Sequence, residues 1–295
     1  MSDNSSRKSP PAPRAGRRFT PDLFDLIGRP AWDDSWPESW KLSFHHDANS
    51  VWPGASERGY RVAYRNRFAR AVDYVLDTTA PGARVLDLAA GQGNFSIVLA
   101  ELGYAVTWND LRADLVDYVR LKTARTDIDF MPGDLFELPA ERVGRYDAIV
   151  ATEIIEHVAH PDEFLRRLSG LLAPGGHIVL TTPNGAYFRN RLPRFSDCPD
   201  PSMYEAMQFK PDGDGHIFLL HPDEWATLAA KAGLRVERLE FFNNPLSNGH
   251  LKTRLLLPLL PRAVVDGVEA LSTRVPGRLG ARLHIHAAAL LSMAA

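Results

Sequence analysis

The sequence predicts an α/β fold, a mostly parallel sheet with helices on both faces. Short apolar runs typical of buried strands alternate with segments of helical spacing between residues 60 and 242. The first of these runs, 84–88, ends in a turn of small residues at 89–93, and helical spacing resumes at Phe95. A strand, a tight turn and a helix in this order form the unit from which doubly wound sheets are built.

The turn at 89–93 has the features of a ligand site. Its small residues let the backbone approach a ligand closely, and the helix that follows offers free N–H groups. Asp87 places a carboxylate at the end of the first strand, where doubly wound sheets bind ligands. Asp110 ends the second strand, about 20 residues beyond the glycines, a position suited to ribose hydroxyls. Either a dinucleotide or S-adenosylmethionine fits this pattern.

The spacing of the glycines favours the second cofactor. A dinucleotide site has the pattern Gly-x-Gly-x-x-Gly, whereas Ser96 stands where the third glycine would be. The pattern Asp-x-Ala-x-Gly-x-Gly at 87–93 resembles motif I of the class I S-adenosylmethionine-dependent methyltransferases. In the family's order, the resemblance covers roughly residues 60–240, with further matching segments at 110, 133–135, 146–150 and 171–177. It implies a Rossmann-like, seven-stranded sheet and S-adenosyl-L-methionine as the cofactor.

The resemblance also implies which residues contact the cofactor, which in this family lies over the ends of the first, second and fourth strands. Asp110 is expected at the ribose hydroxyls and Asp134 at the adenine amino group. On the preceding helix, predicted over 60–76, Arg61 or Arg65 is expected to meet the methionine carboxylate. The expected contacts are Asp87, Ala89, Gly91, Gly93, Asp110, Leu111, Asp134, Leu135 and Thr152.

Candidate catalytic residues follow the fourth predicted strand. Glu153, Glu156 and His157 are spaced so that, on a helical turn, all three share one face. An acceptor hydroxyl must lose its proton as it is methylated, and a histidine near neutral pKa suits that task. We therefore expect His157 to act as the base, with Glu153 or Glu156 orienting its ring.

The same three residues, together with the distant His216, form a candidate metal site. Carboxylates and imidazoles suit Mg²⁺ or Mn²⁺, and such an ion would lower the pKa of the acceptor hydroxyl. The Glu-x-x-Glu-His segment resembles the ubiquinone-biosynthesis O-methyltransferases. With the distant histidine it also resembles the metal site of the small-RNA 3′-terminal 2′-O-methyltransferases. A metal-bound and a metal-free site both remain open.

We expect an enzyme that methylates a hydroxyl on a small-molecule or carrier-linked acceptor. Transfer to oxygen rests on the resemblance around Glu153 and His157. One alternative is a metal-dependent RNA ribose 2′-O-methyltransferase, but a net charge of −2 predicts no strongly basic surface, so nucleic acid is not an expected partner. The other is a non-catalytic S-adenosylmethionine-binding partner protein, which would have no need of the carboxylate–histidine cluster.

The composition divides the chain into a central domain with additions. Trp32, Trp36, Trp40 and Trp52 either pack the N-terminal extension onto the core or form a lid over the acceptor. The C-terminal addition, with helices predicted at 262–273 and 278–293, either packs on the domain or a twin subunit, as in a homodimer, or rests on a membrane. The predicted divisions are a disordered arm at 1–20, the Trp-rich extension at 21–59, a methyltransferase domain at 60–244 with a substrate-covering insertion at 185–215, and a helical addition at 245–295.

The remaining composition excludes several classes of site. The single cysteine, Cys198, leaves no partner for an internal disulfide and cannot build a cysteine zinc site. No uninterrupted apolar run of about 18 residues and no secretory signal is present, so we expect no membrane-spanning segment, although peripheral contact stays open. The expected location is cytoplasmic.

Overall fold

The computed structural model describes residues 18–52, 58–208, 215–248 and 251–294. In chain order its strands are β1 (Arg84–Leu88), β2 (Ala105–Asn109), β3 (Asp129–Phe130), β4 (Tyr146–Thr152), β5 (Leu172–Pro183), β6 (Leu234–Phe242) and β7 (His286–Met293). The α-helices of these residues are α1 (Glu38–Ser50), α2 (Arg58–Thr78), α3 (Asn94–Glu101), α4 (Leu115–Arg120), α5 (Ala140–Val143), α6 (Pro161–Ser169), α7 (Glu224–Lys231), α8 (Arg262–Ser272) and α9 (Gly277–Leu283). None of them is long and apolar enough to cross a bilayer.

The strands form one mixed sheet in the order β3-β2-β1-β4-β5-β7-β6. The first five strands in chain order pair in parallel, and β7 runs antiparallel between β5 and β6. The predicted seven-stranded α/β fold is therefore confirmed. Because the first five strands are parallel and follow one another through crossovers, their carboxyl ends lie at one edge of the sheet.

Helices cover both faces of the sheet, as the buried side chains show. Successive residues of β1 point to opposite faces, so Val85 joins one core cluster and Leu86 the other. The first cluster includes Phe68 of α2, and the second includes Leu165 of α6 and Trp225 of α7. Each of these five residues is at most 1% exposed.

The C-terminal segment differs from its prediction. The helix expected over 278–293 ends at Leu283, and β7 follows it into the middle of the sheet. Alanine is a strong helix former, which explains the prediction, but Ala287, Ala288 and Ala289 are fully buried and pair with β5 and β6. Tertiary pairing overrides local propensity, so the addition expected at 245–295 is not wholly helical, and its last strand belongs to the domain's sheet.

The N-terminal extension packs against the domain. Trp36 and Trp40 contact the ring of Tyr118, which is fully buried, and Trp52 is itself buried. Phe19 donates its backbone N–H to Asp73 of α2. These contacts favour packing over a lid for the described tryptophans. Most of the predicted disordered arm, residues 1–17, lies outside the described residues.

A buried polar network fastens α1 to the start of α3. Asp47 accepts hydrogen bonds from Lys122 Nζ (2.7 Å), Asn94 Nδ2 (2.7 Å) and the Tyr118 hydroxyl (2.8 Å). Lys122 also donates to Asn94 Oδ1 at 2.7 Å, and the side chains of Lys122 and Asp47 are fully buried. Burial lowers the pKa of Lys122, and Asp47 opposes that effect. Because Asn94 directly follows Gly93, this network braces the small-residue turn after β1.

Candidate active site

The turn between β1 and α3 has the backbone geometry of a close-approach loop. Ala89, Gly91 and Gly93 have φ values of 54°, 50° and 68°, in the left-handed region. A Cβ at Gly93 would lie 2.8 Å from Val119, so no larger residue fits there. The turn therefore presents its backbone, rather than side chains, at the carboxyl edge of the sheet.

Asp87, near the end of β1, anchors this turn through hydrogen bonds to Ser96 of α3. Its Oδ2 accepts hydrogen bonds from the backbone N–H (2.9 Å) and hydroxyl (2.7 Å) of Ser96. Asp87 is only 1% exposed, which leaves almost no surface for contact with a cofactor. Burial raises its pKa to about 7, although the Ser96 hydrogen bonds act in the opposite direction. We infer that Asp87 positions the loop, and its predicted cofactor contact stays a prediction.

Asp110 lies at the end of β2 and faces the same turn. Its Oδ2 accepts the backbone N–H of Gly91 at 2.8 Å, and its Oδ1 accepts the backbone N–H and Nε of Arg112, both at 3.0 Å. The half-exposed Arg112 side chain pairs with this carboxylate, and Asp110 is itself only 6% exposed, so its predicted ribose contact stays a prediction. Leu111 beside it is exposed.

The remaining predicted cofactor contacts lie at the ends of later segments. Asp134 is exposed, and its carboxylate caps the short helix Leu135–Glu137 by accepting the backbone N–H of Phe136. The Leu135 side chain is buried, so it offers mainly its backbone. Thr152 ends β4 and is partly exposed. Taken together, the predicted contacts lie at the carboxyl ends of β1, β2 and β4 and just beyond β3.

The sequence predicted that Glu153, Glu156 and His157 share one helical face, and this prediction is wrong for Glu153. This residue has a φ of 53° and precedes the short helix Ile155–His157, so it does not continue that helix. The left-handed backbone turns its carboxylate to Arg67, whose Nη1 lies 3.0 Å from Oε2. The Thr181 hydroxyl donates to Glu153 Oε1 at 3.1 Å.

Glu156, His157 and His216 come together instead. One potential ligand atom from each lies within 4.8 Å of the others, and the two imidazole rings meet edge to face. Glu156 is buried; its Oε2 accepts the Thr182 hydroxyl at 2.9 Å, and its Oε1 has no hydrogen-bond partner among the described residues. The structure therefore supports three of the four predicted metal ligands as a group.

The two glutamates have opposite electrostatic environments. Burial raises the pKa of Glu156 well above its usual value, and the neighbouring Glu153 carboxylate adds to this effect. For Glu153, burial raises the pKa, but Arg67, His286, the Thr181 hydrogen bond and His216 together lower it by more, so the net effect is a lowered pKa. Burial also lowers the pKa of His286 to about 4. Glu153 is thus favoured as the anion paired with Arg67, whereas the surroundings of Glu156 favour a bound proton or cation.

A cavity of about 770 Å³ opens beside these residues. That volume suits a small-molecule ligand. His216 and Glu153 form part of its wall, and residues 187–191 of the insertion form another part. Residues 209–214 of the insertion lie outside the described residues, and its expected role as a cover over the substrate stays a prediction. Tyr60, Arg67 and His286 also line the cavity.

Sequence reasoning missed two residues of this site. Arg67 was one of several arginines on α2, but Arg61 donates to the Val51 carbonyl at 2.7 Å and Arg65 pairs with Asp266 at 2.5 Å. Neither residue is part of the cavity wall, so among these α2 arginines the one that faces the cavity is Arg67; Arg189 and Arg191 of the insertion also line it. His286 starts β7, in a segment predicted to be helical, and the sequence carries no motif that would identify it.

Comparisons with known proteins agree with this arrangement. Residues 60–239 match the family model of a methyltransferase domain. The chain is 40% identical over 116 residues to a ubiquinone biosynthesis O-methyltransferase of Xanthomonas campestris pv. campestris, covering 38% of this chain and 48% of that protein. It is 33% identical over 170 residues to the protein of the same name from Xanthomonas axonopodis pv. citri, covering 56% and 69%. The matched segments thus span 48% of the length of the first relative and 69% of the second.

A solved structure shares the fold. The magnesium protoporphyrin IX methyltransferase of Synechocystis PCC 6803, with bound S-adenosylhomocysteine, superposes with a TM-score of 0.52 at 14% identity and covers 87% of this chain and 94% of that one. The family match spans more than half of the chain, and the observed sheet is the one that its motifs predicted. The chain belongs to the methyltransferase domain family.

Proposed function

We propose that the protein is an S-adenosyl-L-methionine-dependent methyltransferase that methylates a hydroxyl on a small-molecule or carrier-linked acceptor. The observation that carries this proposal is the cluster of Glu156, His157 and His216 beside a cavity at the carboxyl edge of the sheet. Two relatives named as ubiquinone biosynthesis O-methyltransferases support oxygen as the acceptor atom.

The residues at the strand ends fit S-adenosyl-L-methionine. Asp110 offers carboxylate oxygens to ribose hydroxyls, and the Gly91 N–H keeps that carboxylate against the turn. Asp134, which is exposed, and the backbone of Leu135 are placed for an adenine ring. When bound, this cofactor supplies an electrophilic methyl group to the acceptor.

His157 would take the proton that the acceptor hydroxyl loses during transfer. A general base must reach that proton. The His157 ring contacts the ring of His216, which lines the cavity, so His157 lies directly behind the cavity wall. A carboxylate oxygen of Glu156 lies within 4.8 Å of a ring nitrogen of His157, so its negative charge would stabilise the protonated imidazole electrostatically. Glu153, already paired with Arg67, would contribute to the shape and charge of the cavity rather than to proton transfer.

The same three residues fit a divalent cation. A buried carboxylate oxygen without a hydrogen-bond partner among the described residues, next to two imidazoles, is a donor set suited to Mn²⁺ and related ions. Glu156, His157 and His216 would hold the ion, which would lower the pKa of an acceptor hydroxyl. A nitrogen that binds a metal cannot accept a proton, so the roles of His157 as base and as ligand exclude each other at one atom.

Product analysis tests the proposed acceptor atom. The full chain is incubated with S-adenosyl-L-methionine and, separately, with a catechol and with the matching aromatic diamine. We expect S-adenosylhomocysteine and an O-methyl ether, identified by mass spectrometry and NMR, with the catechol only. Transfer to the diamine nitrogen at an equal rate would contradict the proposal.

A further inference from the structure

The segment between β6 and β7 carries an apolar surface that faces outward. We call it the outer apolar surface and define it by Leu255, Leu259, Val264, Val268 and Leu271. Leu255, Leu259 and Leu271 are 81%, 78% and 68% exposed, and the two valines are also exposed. Large apolar side chains grouped in this way on one stretch of chain mark an interaction surface.

The helix α8 is oriented unlike an ordinary surface helix. Val264, Val268 and Leu271 follow one another at intervals of four and three residues, so they share one face. Val265 and Glu269 are buried on the side that faces the protein. A surface helix normally presents polar side chains to water, whereas α8 presents an apolar stripe.

Basic residues outnumber acidic residues in the segment that carries this surface. The stretch 245–285 contains six basic residues: Lys252, Arg254, Arg262, Arg274, Arg278 and Arg282. Its two acids are Asp266 and Glu269. Glu269 is buried and accepts the backbone N–H groups of Asn243 and Asn244, and Asp266 pairs with Arg65 at 2.5 Å and with Arg262 at 3.6 Å. Because Lys252, Arg274, Arg278 and Arg282 are exposed, the charge that this segment presents to solvent is positive.

This combination favours an anionic lipid surface over a second copy of the chain. Apolar side chains flanked by Lys and Arg enter the headgroup region of a bilayer, where anionic lipids attract the cations. In a two-fold dimer the same surface would face itself, so the cations of one copy would oppose those of the other.

The surface also lies next to the cavity. α8 is joined to α2 through Arg65 and Asp266, and α2 carries Tyr60 and Arg67 of the cavity wall. On the other side, the backbone N–H of Phe188, another wall residue, donates to the carbonyl of Arg282 in α9 at 3.2 Å. The segment that carries the apolar surface thus borders the cavity through two elements.

We propose that the outer apolar surface docks the protein on anionic lipid bilayers, as a peripheral contact that does not span them. The proposal goes beyond the methyl transfer proposed above and does not depend on it. It places the cavity at the lipid surface, where an acceptor with an apolar tail would be available without leaving the bilayer.

Vesicle co-sedimentation tests the proposal with the full chain. The vesicles are pure phosphatidylcholine or phosphatidylcholine mixed with phosphatidylglycerol. We expect binding to the mixed vesicles only, weakened by high salt. The variant Leu255→Ser/Leu259→Ser/Leu271→Ser should lower the bound fraction at least about tenfold. These side chains are largely exposed, so the fold should survive, and circular dichroism during thermal unfolding checks that it does.

The matched control is Leu42→Ser/Met203→Ser, which removes two side chains of similar exposure, 68% and 66%, outside the surface. It should bind vesicles like the wild type. The proposal is overturned if the wild type stays in the supernatant with both vesicle types, or if the triple variant binds as well as the wild type. Light scattering gives the oligomeric state in the absence of vesicles. If the wild type does not bind vesicles but forms a dimer, and the triple variant is a monomer, a second copy of the chain covers the surface and the proposal is overturned.

Discussion

Arg67 Nη1 lies 3.0 Å from Oε2 of Glu153, and this ion pair joins α2 to the end of β4 in the wall of the cavity. Glu153 owes its position to a left-handed backbone, which a non-glycine residue adopts only when its surroundings hold it there. Both side chains are largely shielded from water. The pair therefore keeps one carboxylate charged beside Glu156, whose own pKa is raised.

Replacing Arg67 alone should leave Glu153 as an uncompensated charge in the cavity wall. We expect Arg67→Met to lower the free energy of unfolding by about 3 kcal/mol, the cost of breaking a buried pair. The double variant Arg67→Met/Glu153→Gln should lose much less, since no unpaired charge remains. Urea denaturation of the two single variants and the double variant measures this coupling. Strictly additive losses would contradict it.

The network around Asp47 should support cofactor binding from a distance. Asp47→Ala leaves Lys122 as an unpaired buried charge and removes one hydrogen bond of Asn94, the residue after Gly93. We expect a loss of about 3 kcal/mol in the free energy of unfolding and weaker binding of S-adenosylhomocysteine by titration calorimetry. Asp117→Ala, on the exposed side of α4, is the control and should change neither quantity. Unaltered affinity in folded Asp47→Ala would show that the network does not brace the turn.

The pattern of the sequence predicted most of the fold because local and tertiary preferences agree over the central domain. Strand β1 ends at Leu88, directly before the small-residue turn at 89–93, and helix α3 follows at Asn94, next to the predicted start at Phe95. In these elements the apolar period, the turn glycines and the burial all indicate the same structure. The position of Asp110 at the carboxyl edge of the sheet was also predictable, because this residue directly follows a strand.

The residues that were mispredicted are those whose role depends on distant partners. Ala287 to Ala289 form a strand because their backbone pairs with the strands on both sides. Glu153 leaves the helical face because of a left-handed φ that no spacing rule reveals. Among similar arginines on α2, only the packing of the helix selects Arg67. In each case the deciding contact lies far away in sequence.

Asp87 should make stability depend on pH in a direction unusual for an acid. Its pKa rises from 3.8 to about 7 on folding because it is buried, so the folded state holds the proton more strongly. As pH increases from about 4 to about 7, the unfolded carboxyl ionises first, and this group's contribution to stability is lost.

Asp87→Asn still accepts the Ser96 hydrogen bonds but has no charge to bury. The difference in unfolding free energy, variant minus wild type, should therefore grow by up to about 1.4 kcal/mol per pH unit across that window. Denaturant unfolding at a series of pH values measures it. A difference that stays constant with pH would count against the raised pKa.

If the cluster of Glu156, His157 and His216 binds a metal ion, Glu156 should be required for metal binding and Glu153 should not. Calorimetric titration of Mn²⁺ into protein saturated with S-adenosylhomocysteine should show one site. Glu156→Gln and His216→Ala should abolish that site, because each removes a ligand atom of the cluster. Glu153→Gln should retain it, since Glu153 pairs with Arg67 instead. If Glu153→Gln also lost the site, the ligand set would be the four residues that the sequence suggested.

The most direct measurement is the rate of S-adenosylhomocysteine release with a catechol acceptor, compared between His157→Ala and the matched control His160→Ala. His160 lies three residues away, where it meets Glu205 at the surface. We predict that His157→Ala lowers kcat by about 100-fold or more while S-adenosyl-L-methionine affinity is kept, and that His160→Ala behaves like the wild type. Equal activity of the two variants would contradict the assignment of proton transfer or metal binding to the cluster of Glu156, His157 and His216.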